Sequence, residues 1–439
     1  MSYSAIVTKL VNVRKHPNAD RLMLATCLGN QVVVGLNAEE GMLGVYFPTD
    51  GRLGLEFAQA NDLIRRRNPE TGAREGGMFD QNCRIRAQKF RGEMSDGFWC
   101  PIGHLLQWKP NTDVNELIDG KEINTLNGDI LCMKYMTPKT MKAMKQRAMG
   151  PKKAKSLMFK EHFETSQFYK HYKEIQPGSL IIITEKCHGT SQRFGLCLVE
   201  RELTWKDKIA RFFGVEVKET EWRELNGTRR VILTLKDKSF VESGFYTQHF
   251  REIVVTQLRG APRKGETLYF EVVGFESPKS ETTIMPVVDP KKVDKEFAKR
   301  YSNYGNKMAY LYGNKPGEHD IFIYRITQTN EDGITTELPW FDVCKRCREL
   351  GVATVPVLLD PFVYCDKHHW INTPEELLEQ AKKLASGPSI LDSTHIREGV
   401  VVRVEGYMGM NAYKLKSDEF KILESISKDT DQVDLEEIS

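Results

Sequence analysis

The chain of 439 residues is long enough to form two or three domains with hydrophobic cores of their own. Charged residues make up 28% of it and the mean hydropathy is −0.45, values typical of a soluble globular protein. No run of about eighteen apolar residues occurs, and the opening MSYSAIVTKLVNVRKHPNAD lacks a long apolar stretch. We therefore expect neither a membrane span nor a signal peptide, and the net charge of +3 excludes a uniformly basic or acidic chain.

From the start to residue 120, short strand patterns such as AIVTKLVNV and QVVVGLN alternate with turn signals such as HPNAD and TDGRLG. Strands at this spacing predict a small β-barrel or sandwich over residues 1–120, and a resemblance in its first turn implies an OB-like β-barrel that binds nucleic acid. The segment HPNADRL, which begins at His16, resembles the opening of the OB-fold tRNA-binding module. The segment RIRAQKFRG, which contains Arg91, offers basic groups to an RNA strand.

Residues 121–160 form a predicted basic linker. Between Met133 and Lys160 there are nine lysines or arginines and no acidic residue. Such a block is either a solvated linker or helix face, or a site that attracts polyphosphate. Beyond it, residues 161–428 alternate strand patterns with helical ones, including a helix after Thr373, and predict an α+β domain built on antiparallel sheet. Residues 429–439 are acidic and are expected to form a mobile tail.

One lysine stands at the end of a buried strand in this second region. The segment SLIIITEKCHGTSQRFGLCLV, residues 179–199, predicts two strands joined by a polar turn that begins at Lys186. A hairpin with a solvated lysine is one interpretation, and a nucleophilic lysine is the other. A nucleophilic amine must be uncharged, which requires burial or a nearby cation to lower its pKa.

Groups suited to a nucleotide follow downstream. Glu271 leaves a strand beside Gly274 and could accept hydrogen bonds from ribose, while Phe322 and Tyr324 share one face of a predicted strand and could stack on a purine. Further along come a carboxylate that suits a magnesium ion and two lysines on one strand face that suit phosphate: Glu398, Lys414 and Lys416. Each element alone is also typical of a surface charge or an edge strand.

Taken in order, these elements resemble the motifs of the covalent nucleotidyltransferases, which comprise ATP-dependent DNA and RNA ligases and mRNA-capping guanylyltransferases. The matching positions are Lys186-Cys187-His188-Gly189, Glu271, Tyr324, Glu398-Gly399 and Lys414-Leu415-Lys416. The resemblance implies that Lys186 becomes the lysyl-AMP, with ATP and Mg²⁺ or Mn²⁺ as cofactors. It also implies a metal ligand in Glu398 and nucleotide-binding roles for His188, Gly189, Glu271, Phe322, Tyr324, Lys414 and Lys416.

The barrel-like module precedes the catalytic region, and only about twenty residues follow the Lys-x-Lys strand. Together with His188 in place of an aspartate, this order resembles the RNA ligases that carry an N-terminal OB module. The resemblance implies joining of 3′-OH and 5′-phosphate ends at nicks with an RNA 3′ end. The partners would be RNA, including a nicked RNA/DNA duplex, and ATP, with neither a membrane nor an obligatory protein partner. The alternatives are guanylyl transfer, DNA ligation, and an accessory protein that binds RNA or tRNA without chemistry.

Some residues depart from the pattern or lie beside it. Arg325 follows Tyr324 where many ligases have an acid, and Arg229 and Arg230 in an insertion-like segment are candidates for RNA contact, although a solvated hairpin explains them equally. Upstream of the lysine, three further residues are candidates for the lining of the nucleotide pocket: Lys160, His162 and Thr165.

The cysteines allow a competing interpretation. Cys344, Cys347, Cys365 and His368 have spacing that could form a zinc ribbon. The segment WFDVCKRCRELG instead predicts a helix that ends at Gly351, with the two cysteines on one half-buried face. Nine cysteines in apolar contexts favour free thiols in a reducing compartment. We therefore expect a cytoplasmic protein, or one of the host cytoplasm if it is viral.

Overall fold

The computed structural model describes residues 3–148, 156–233, 250–276, 281–365, 370–406 and 409–429. The chain folds as two compact units. The first contains the residues up to Lys142 together with the helix Asp418–Asp429, and the second contains Ala143–Ser417. Most of the expected acidic tail and part of the basic linker lie outside the described residues. In the described part of the chain, none of the helices is long and apolar enough to cross a membrane.

The first unit is built from short antiparallel strands. Its largest sheet has four strands in the order Phe98–Pro101, Leu43–Phe47, Ala5–Lys9 and Glu122–Ile123. The other strands form a three-stranded sheet (Val11–Lys15, Leu22–Cys27, Asn30–Gly35) and the pairs Arg65–Arg67 with Arg74–Gly76, Ala87–Phe90 with Glu93–Asp96, Thr125–Leu126 with Asp129–Ile130, and Gly51–Leu53 with Cys132–Lys134. Across the described residues these strands do not close into one barrel.

The apolar core of the first unit lies against the largest sheet. Val7, Val45 and Phe47 are fully buried there, and Phe57 of the helix Leu55–Ala60 packs on the Phe47 ring at 5.8 Å. The remaining helices of this region are Gly103–Trp108, the 3₁₀ turn Val114–Glu116 and Pro138–Ala148.

The first unit extends beyond the boundary expected from the sequence. Glu122–Ile123 pairs with Ala5–Lys9, and Cys132–Lys134 pairs with Gly51–Leu53, so residues 122–134 belong to its sheets and not to a linker. The helix Asp418–Asp429 also belongs to this unit, whereas the sequence pattern places it in the domain of residues 161–428. Its charged side chains explain the difference, because Lys421 and Lys428 pair with Asp96 and Asp50.

The second unit contains two mainly antiparallel sheets, each with one short strand paired in parallel. One follows the order Thr220–Thr228, Thr190–Glu200, Glu266–Gly274, His319–Thr329 and Thr335–Glu337, with Ala353–Thr354 added beside His319–Thr329. The other follows the order Ser166–Gln167, Gly409–Lys416, Gly399–Gly406, Leu180–Lys186 and Val357–Val363. Ile181, Ile182 and Ile183 are fully buried, as a continuous apolar run in a covered strand requires. The α+β architecture with antiparallel sheets predicted from the sequence is confirmed.

Two predicted helix ends, at Thr373 and Gly351, are confirmed among the six helices that the structure describes in the second unit. These helices are Phe168–His171, Trp205–Phe212, Phe250–Val254, Lys295–Tyr301, Trp340–Leu350 and Pro374–Ala385, with 3₁₀ turns at Tyr172–Glu174, Val255–Leu258 and Pro290–Lys292. Thr373 caps Pro374–Ala385 in a capping box with Glu376, because its hydroxyl accepts the Glu376 N–H while the Glu376 carboxylate accepts the Thr373 N–H. Trp340–Leu350 ends at Gly351, whose φ of 67° favours glycine.

Candidate active site

The turn that follows Lys186 depends on a close approach between two strands. Lys186 ends the strand Leu180–Lys186, and the next strand begins at Thr190. A Cβ on Gly189 would lie 2.3 Å from the carbonyl oxygen of Val272 on a neighbouring strand. Glycine is therefore required at this position, and it brings the turn against the strand that carries Glu271.

The register of the sheet brings three charged residues, Lys186, Glu398 and Lys416, together at the ends of adjacent strands. Lys186 is paired with Gly399, and Gly399 is paired with Lys416 on the next strand. Glu398 immediately precedes this row. A Cβ on Gly399 would lie 2.1 Å from the carbonyl oxygen of Leu415, so the Glu-Gly sequence at the strand start has a steric cause. Residues separated by more than two hundred positions in the sequence thus meet at adjacent strand ends.

Glu398 is the centre of this charged group. Its carboxylate is fully buried and lies 2.7 Å from Lys186 Nζ, 3.7 Å from Lys416 Nζ and 3.2 Å from His188 Nδ1. A buried carboxylate needs such partners because removing it from water is costly. Its oxygens are also the hard donors that Mg²⁺ and Mn²⁺ prefer. The arrangement brings together an amine, a second cation and a candidate metal ligand.

A second row crosses the other sheet. Ser191, Glu271 and Phe322 are paired across three neighbouring strands. Between Phe270 and Tyr269 the register shifts by one residue, so Tyr324 is an extra residue in its strand. Such a bulge redirects side chains, and here it lets both Tyr324 and Arg325 line the same cavity. The Tyr324 hydroxyl lies 2.7 Å from the Ser191 hydroxyl.

Members of both rows, Lys186 from the first and Ser191 and Glu271 from the second, line one cavity in the second unit. It combines the residues of the lysine turn with carboxylate, aromatic and basic side chains from both sheets. The lining residues that the argument uses are Lys186, Gly189, Ser191, Glu271, Tyr324, Arg229, Lys414 and His162. Polar groups that converge on a partly apolar cleft are typical of a small-molecule site.

Eight of the site candidates selected from the sequence line this cavity, and several others do not. Lys186, Gly189, Glu271, Tyr324, Lys414 and Arg229 are in the lining, and so are the upstream candidates His162 and Thr165. His188 and Lys416 contact Glu398, which lies behind the lining. Lys160 is not in the lining, and its carbonyl oxygen accepts a hydrogen bond from the Tyr269 hydroxyl at 2.9 Å.

Phe322 differs from the expectation that it shares a face with Tyr324. It is buried, its ring centre lies 6.5 Å from that of Tyr312, and it is not part of the cavity lining. The bulge at Tyr324 explains this, because an extra residue breaks the two-residue alternation of side chains. Arg230 pairs with Glu164 at 3.1 Å, outside the lining, and Arg91 lies exposed in the turn of a hairpin of the first unit.

Arg325 has a partner that the sequence did not indicate. Its guanidinium contacts both carboxylate oxygens of Glu337 at 2.9–3.0 Å and lies over the rings of Tyr269 and Phe163, at 4.4 and 4.7 Å. The acid absent after Tyr324 is thus replaced by an arginine that an acid from the next strand neutralises. Glu337 in the TTEL segment gave no motif signal, because its distance from Arg325 depends on a hairpin turn.

The tautomer of His162 follows from this arginine. Arg325 Nη1 lies 3.4 Å from His162 Nδ1, and an arginine can only donate, so Nδ1 accepts and the ring proton is on Nε2. Burial, together with the charge of Arg325, holds the pKa of His162 well below its usual value. His162 is therefore a neutral hydrogen-bond donor in the cavity wall, with its ring 5.1 Å from that of Tyr324.

The described cysteines do not form a zinc site. Cys344 and Cys347 lie on the helix Trp340–Leu350, as predicted, and all nine cysteines are free. In the part of the chain that the structure describes, no group of three or more His, Cys, Asp or Glu side chains has the geometry to hold a metal ion. His368 lies outside those residues. Any metal at the cavity would therefore take ligands from its substrate or from water as well as from the protein.

Behind the lysine turn, His395 contacts the rings of two tyrosines. It is fully buried, its ring lies 4.4 Å from Tyr312 and 5.2 Å from Tyr310, and its Nδ1–H donates to the Ile396 carbonyl at 2.9 Å. The Tyr312 hydroxyl in turn accepts the His188 backbone N–H at 2.6 Å. Burial lowers the pKa of His395, although the carboxylate of Asp392 opposes this. His395 thus supports the turn of the lysine motif as a neutral ring.

We expect the second unit to lose stability in mild acid. Histidine in the unfolded chain titrates near pH 6.5, and the folded pKa values of His162 and His395 are lower. The stability that these neutral rings contribute is present above about pH 6.5 and falls as pH drops, by up to about 1.4 kcal/mol per pH unit for each histidine. Urea unfolding at a series of pH values would measure this. His395→Asn, which preserves a donor near the Nδ1 position, should give a shallower slope, and an unchanged slope would contradict the assignment.

Comparison with known proteins agrees with this geometry. The family model described as RNA ligase matches residues 179–422, more than half of the chain. Solved structures of Naegleria gruberi RNA ligase share the fold: an apo mutant is 15% identical with a TM-score of 0.55 and covers 98% of this chain and 100% of its own. A form with pyrophosphate is 15% identical (TM-score 0.55, 98% and 99% covered), and a mutant with ATP and Mn is 16% identical (TM-score 0.53, 98% and 100%). No curated protein sequence matches the chain. The matched range contains the lysine turn, both carboxylates and the Lys-x-Lys strand, and the chain therefore belongs to the RNA ligase family, a family of covalent nucleotidyltransferases.

Proposed function

We propose that the chain is an ATP-dependent RNA ligase that joins 3′-OH and 5′-phosphate ends through lysyl-AMP and RNA-adenylate intermediates. The observation that carries this proposal is the position of Lys186. Lys186 is the last residue of its strand, and its amine lies in the cavity wall, 2.7 Å from the fully buried carboxylate of Glu398. A solvated hairpin lysine would have neither the buried partner nor the cavity. The family match supports the reaction class.

In the first step, Lys186 Nζ forms a bond to the α-phosphorus of ATP while the bond to the pyrophosphate oxygen breaks. The amine must first lose a proton to solvent, which its 19% exposed side chain reaches, and a carboxylate at 2.7 Å favours the charged ammonium. Lys416 Nζ shares that carboxylate at 3.7 Å, so its positive charge opposes this effect and repels the ammonium form of Lys186. Glu398 thus holds the nucleophile in place, while Lys416 favours its deprotonation.

The residues around the lysine suit a nucleotide and a divalent metal. Glu398, and Glu271 in the cavity wall, supply the hard oxygen donors that Mg²⁺ or Mn²⁺ requires, so the residues fit the metal. What a bound metal supplies is positive charge near the reacting phosphoryl group. We assign Glu398 to the metal and Glu271 to the ribose hydroxyls. The structure of the Naegleria gruberi enzyme with ATP and Mn supports ATP and a metal as cofactors.

The remaining cavity residues divide between base and phosphate. We assign Tyr324, redirected by its bulge, to stacking on the purine, with Phe322 supporting it from the core. Lys414, in the wall, would neutralise phosphate charge, and Lys416 would act through Glu398. Gly189 allows the close approach of the turn, and His188 orients the Glu398 carboxylate through its Nδ1 contact. The AMP then passes to the RNA 5′-phosphate, and the 3′-OH displaces it.

For the substrate we propose a nick with an RNA 3′ end, in duplex RNA or an RNA/DNA hybrid. We interpret the strands of the first unit as an OB-like nucleic-acid-binding module, with Arg91 at an exposed turn. Arg229 at the cavity and its neighbour Arg230 are candidates for backbone contact. The nine free thiols support a reducing compartment such as the cytoplasm.

The test of this function is the intact mass of the purified protein after incubation with ATP and Mg²⁺. We expect one added AMP per chain, and none with GTP. An RNA-binding accessory protein would bind RNA without any mass change, and label from GTP would indicate guanylyl transfer. Comparing RNA with DNA 3′ ends on the same nicked duplex separates RNA joining from DNA ligation.

Removing metal should stop the reaction without unfolding the protein. We expect a chelator to abolish the AMP adduct and added Mg²⁺ or Mn²⁺ to restore it, because the metal would be held mainly by Glu398 and the nucleotide. The melting temperature should change little, since the described cysteines form no structural zinc site. A chelator-induced loss of folded protein would contradict this and favour the zinc interpretation.

A further inference from the structure

One helix of the second unit has its apolar side facing outward. The helix Trp205–Phe212 lies in the connection between two long paired strands, Thr190–Glu200 and Thr220–Thr228. Thr204 begins it with a capping box to Asp207, so the helix has a defined start. Its sequence, WKDKIARFF with the next residue, belongs to the insertion-like segment that the catalytic assignments leave unused.

The apolar stripe consists of Trp205, Ile209, Phe212 and Phe213. Their spacing of four, three and one residues places them on one side of the helix. They are 68%, 48%, 85% and 75% exposed, although large aromatic side chains are usually buried. We call this set the aromatic stripe. A contiguous exposed apolar patch is typical of a binding surface.

The polar side of the same helix holds it to the protein. Asp207 accepts two hydrogen bonds from Arg201, at 2.8 and 2.9 Å, and Arg211 pairs with Glu219 at 2.8 Å. These contacts tie the helix to the two strand ends that flank it, at Arg201 and Glu219. The aromatic stripe lies on the opposite side of the helix from Asp207 and Arg211.

Two lysines border the stripe. At 100° per residue, Lys206 and Lys208 fall on its opposite sides, and neither has a carboxylate partner among the described residues. The one acid of the helix, Asp207, is held inward by Arg201. The stripe therefore combines three aromatic rings with two bordering lysines, and Lys206 Nζ lies 5.7 Å from the centre of the Trp205 ring. Stacking rings combined with cations are the elements that bind single-stranded nucleic acid.

The distance from the cavity to the helix follows from the strand register. The two strands are paired from Gln192 with Thr228, next to the cavity residues Ser191 and Arg229, to Glu200 with Thr220, next to the helix. Eight residue steps along this ladder span about 27 Å. At the rise of about 3.4 Å per nucleotide that a base-stacked strand has, this corresponds to roughly eight nucleotides.

We propose that the aromatic stripe is a stacking platform for single-stranded RNA that leads away from the ligation junction, roughly eight nucleotides from it. This proposal rests on the proposed function, since it requires the junction at the cavity. The platform holds the strand by ring-to-base stacking, and Lys206 and Lys208 contact its phosphates. A membrane surface is less suited, because a helix of two turns buries little apolar area.

The test uses the full chain with Trp205→Ala, Phe212→Ala and Phe213→Ala combined. Its control is Phe341→Ala, which removes an exposed aromatic ring elsewhere in the same unit. Fluorescence anisotropy without ATP would measure binding of labelled RNA strands of about four and about fifteen nucleotides. We expect the triple variant to bind the longer strand at least tenfold more weakly and the shorter strand equally, while the control matches the natural protein. Equal binding of the longer strand would overturn the proposal.

Two further measurements separate this proposal from the proposed function and from other partners. Formation of the AMP adduct should be unchanged in the triple variant, and ligation should fall only for substrates with long single-stranded flanks. If the natural protein forms no adduct, the ligase function fails, whereas the anisotropy result still tests the platform. Sedimentation with anionic vesicles and measurement of the oligomeric state complete the test. Loss of vesicle binding or of a dimer in the triple variant, with RNA binding intact, would assign the stripe to a membrane or to a second copy.

Discussion

Lys186→Ala is expected to abolish transfer of AMP from ATP to the protein. The α-phosphorus requires an attacking amine, and the structure places the Lys186 amine in the cavity wall beside Glu398. Lys416, the other lysine in contact with this carboxylate, lies outside the cavity lining and cannot replace it. The measurement is a gel of the protein incubated with α-labelled ATP and Mg²⁺, followed by intact mass. We expect label at background level, which is the effect of removing a covalent nucleophile.

Two controls distinguish loss of the nucleophile from loss of the fold. Lys383→Ala removes an exposed lysine from the helix Pro374–Ala385 and should label normally. The Lys186→Ala protein should also still join RNA that already carries a 5′-adenylate, because that last step forms no bond to the lysine. Full labelling of Lys186→Ala would exclude the ligase proposal. If the variant has a normal melting temperature but loses the last step as well as the labelling, the charge of Lys186 also neutralises phosphate.

Much of this site could be predicted from the sequence because its parts are short and local. Each motif combines a short strand pattern with a charged residue at its end or within it. This holds for the lysine turn, the Glu-Gly pair and the Lys-x-Lys strand. Antiparallel pairing then brings Lys186, Gly399 and Lys416 into one row. The two glycines of these motifs, Gly189 and Gly399, are each required for a steric reason, because a side chain there would clash with a neighbouring strand.

Other features could not be predicted because they depend on register or on distant partners. The bulge at Tyr324 shifts Phe322 out of the cavity, and no residue in IFIYRIT indicates a bulge. Glu337 neutralises Arg325 only because a hairpin returns it to that position. The expected OB-like barrel predicted many short strands correctly, but their pairing into separate small sheets depends on contacts between residues up to about 120 positions apart.

The membership of the last helix in the first unit was the largest difference from the expected domain boundaries. Nothing in DEFKILESISKD indicates which unit it packs against, since an amphipathic helix fits any apolar surface. Ion pairs between the helix and the first unit account for this membership. Lys421 Nζ lies 2.5 Å from the buried Asp96 carboxylate, and Lys428 Nζ lies 2.7 Å from Asp50. Ser425 accepts the Ala87 backbone N–H at 3.2 Å.

Asp96→Ala is therefore expected to destabilise the first unit by about 3–5 kcal/mol, because it leaves the buried ammonium of Lys421 with only the exposed carboxylate of Asp418, at 3.3 Å, as an ionic partner. Lys421→Ala should lower the stability by a similar amount, because it leaves the buried carboxylate of Asp96 without its cationic partner. The double variant Asp96→Leu with Lys421→Met should recover most of the loss, since apolar groups of similar size tolerate burial. Lys109→Ala, which removes a more exposed pair with Asp129, should cost at most about 1 kcal/mol.

Hydrogen exchange measured peptide by peptide can assign this loss to one unit. In the Asp96→Ala protein, the strand Leu43–Phe47 and the helix Asp418–Asp429 should lose protection together, because both belong to the same cooperative core. The strand Leu180–Lys186 should keep its protection, and formation of the AMP adduct should persist at temperatures where the first unit is still folded. If the helix Asp418–Asp429 loses protection while the strand Leu43–Phe47 keeps it, the helix is only attached to the surface of the first unit. Its charged contacts would then contribute little to the folding of that unit.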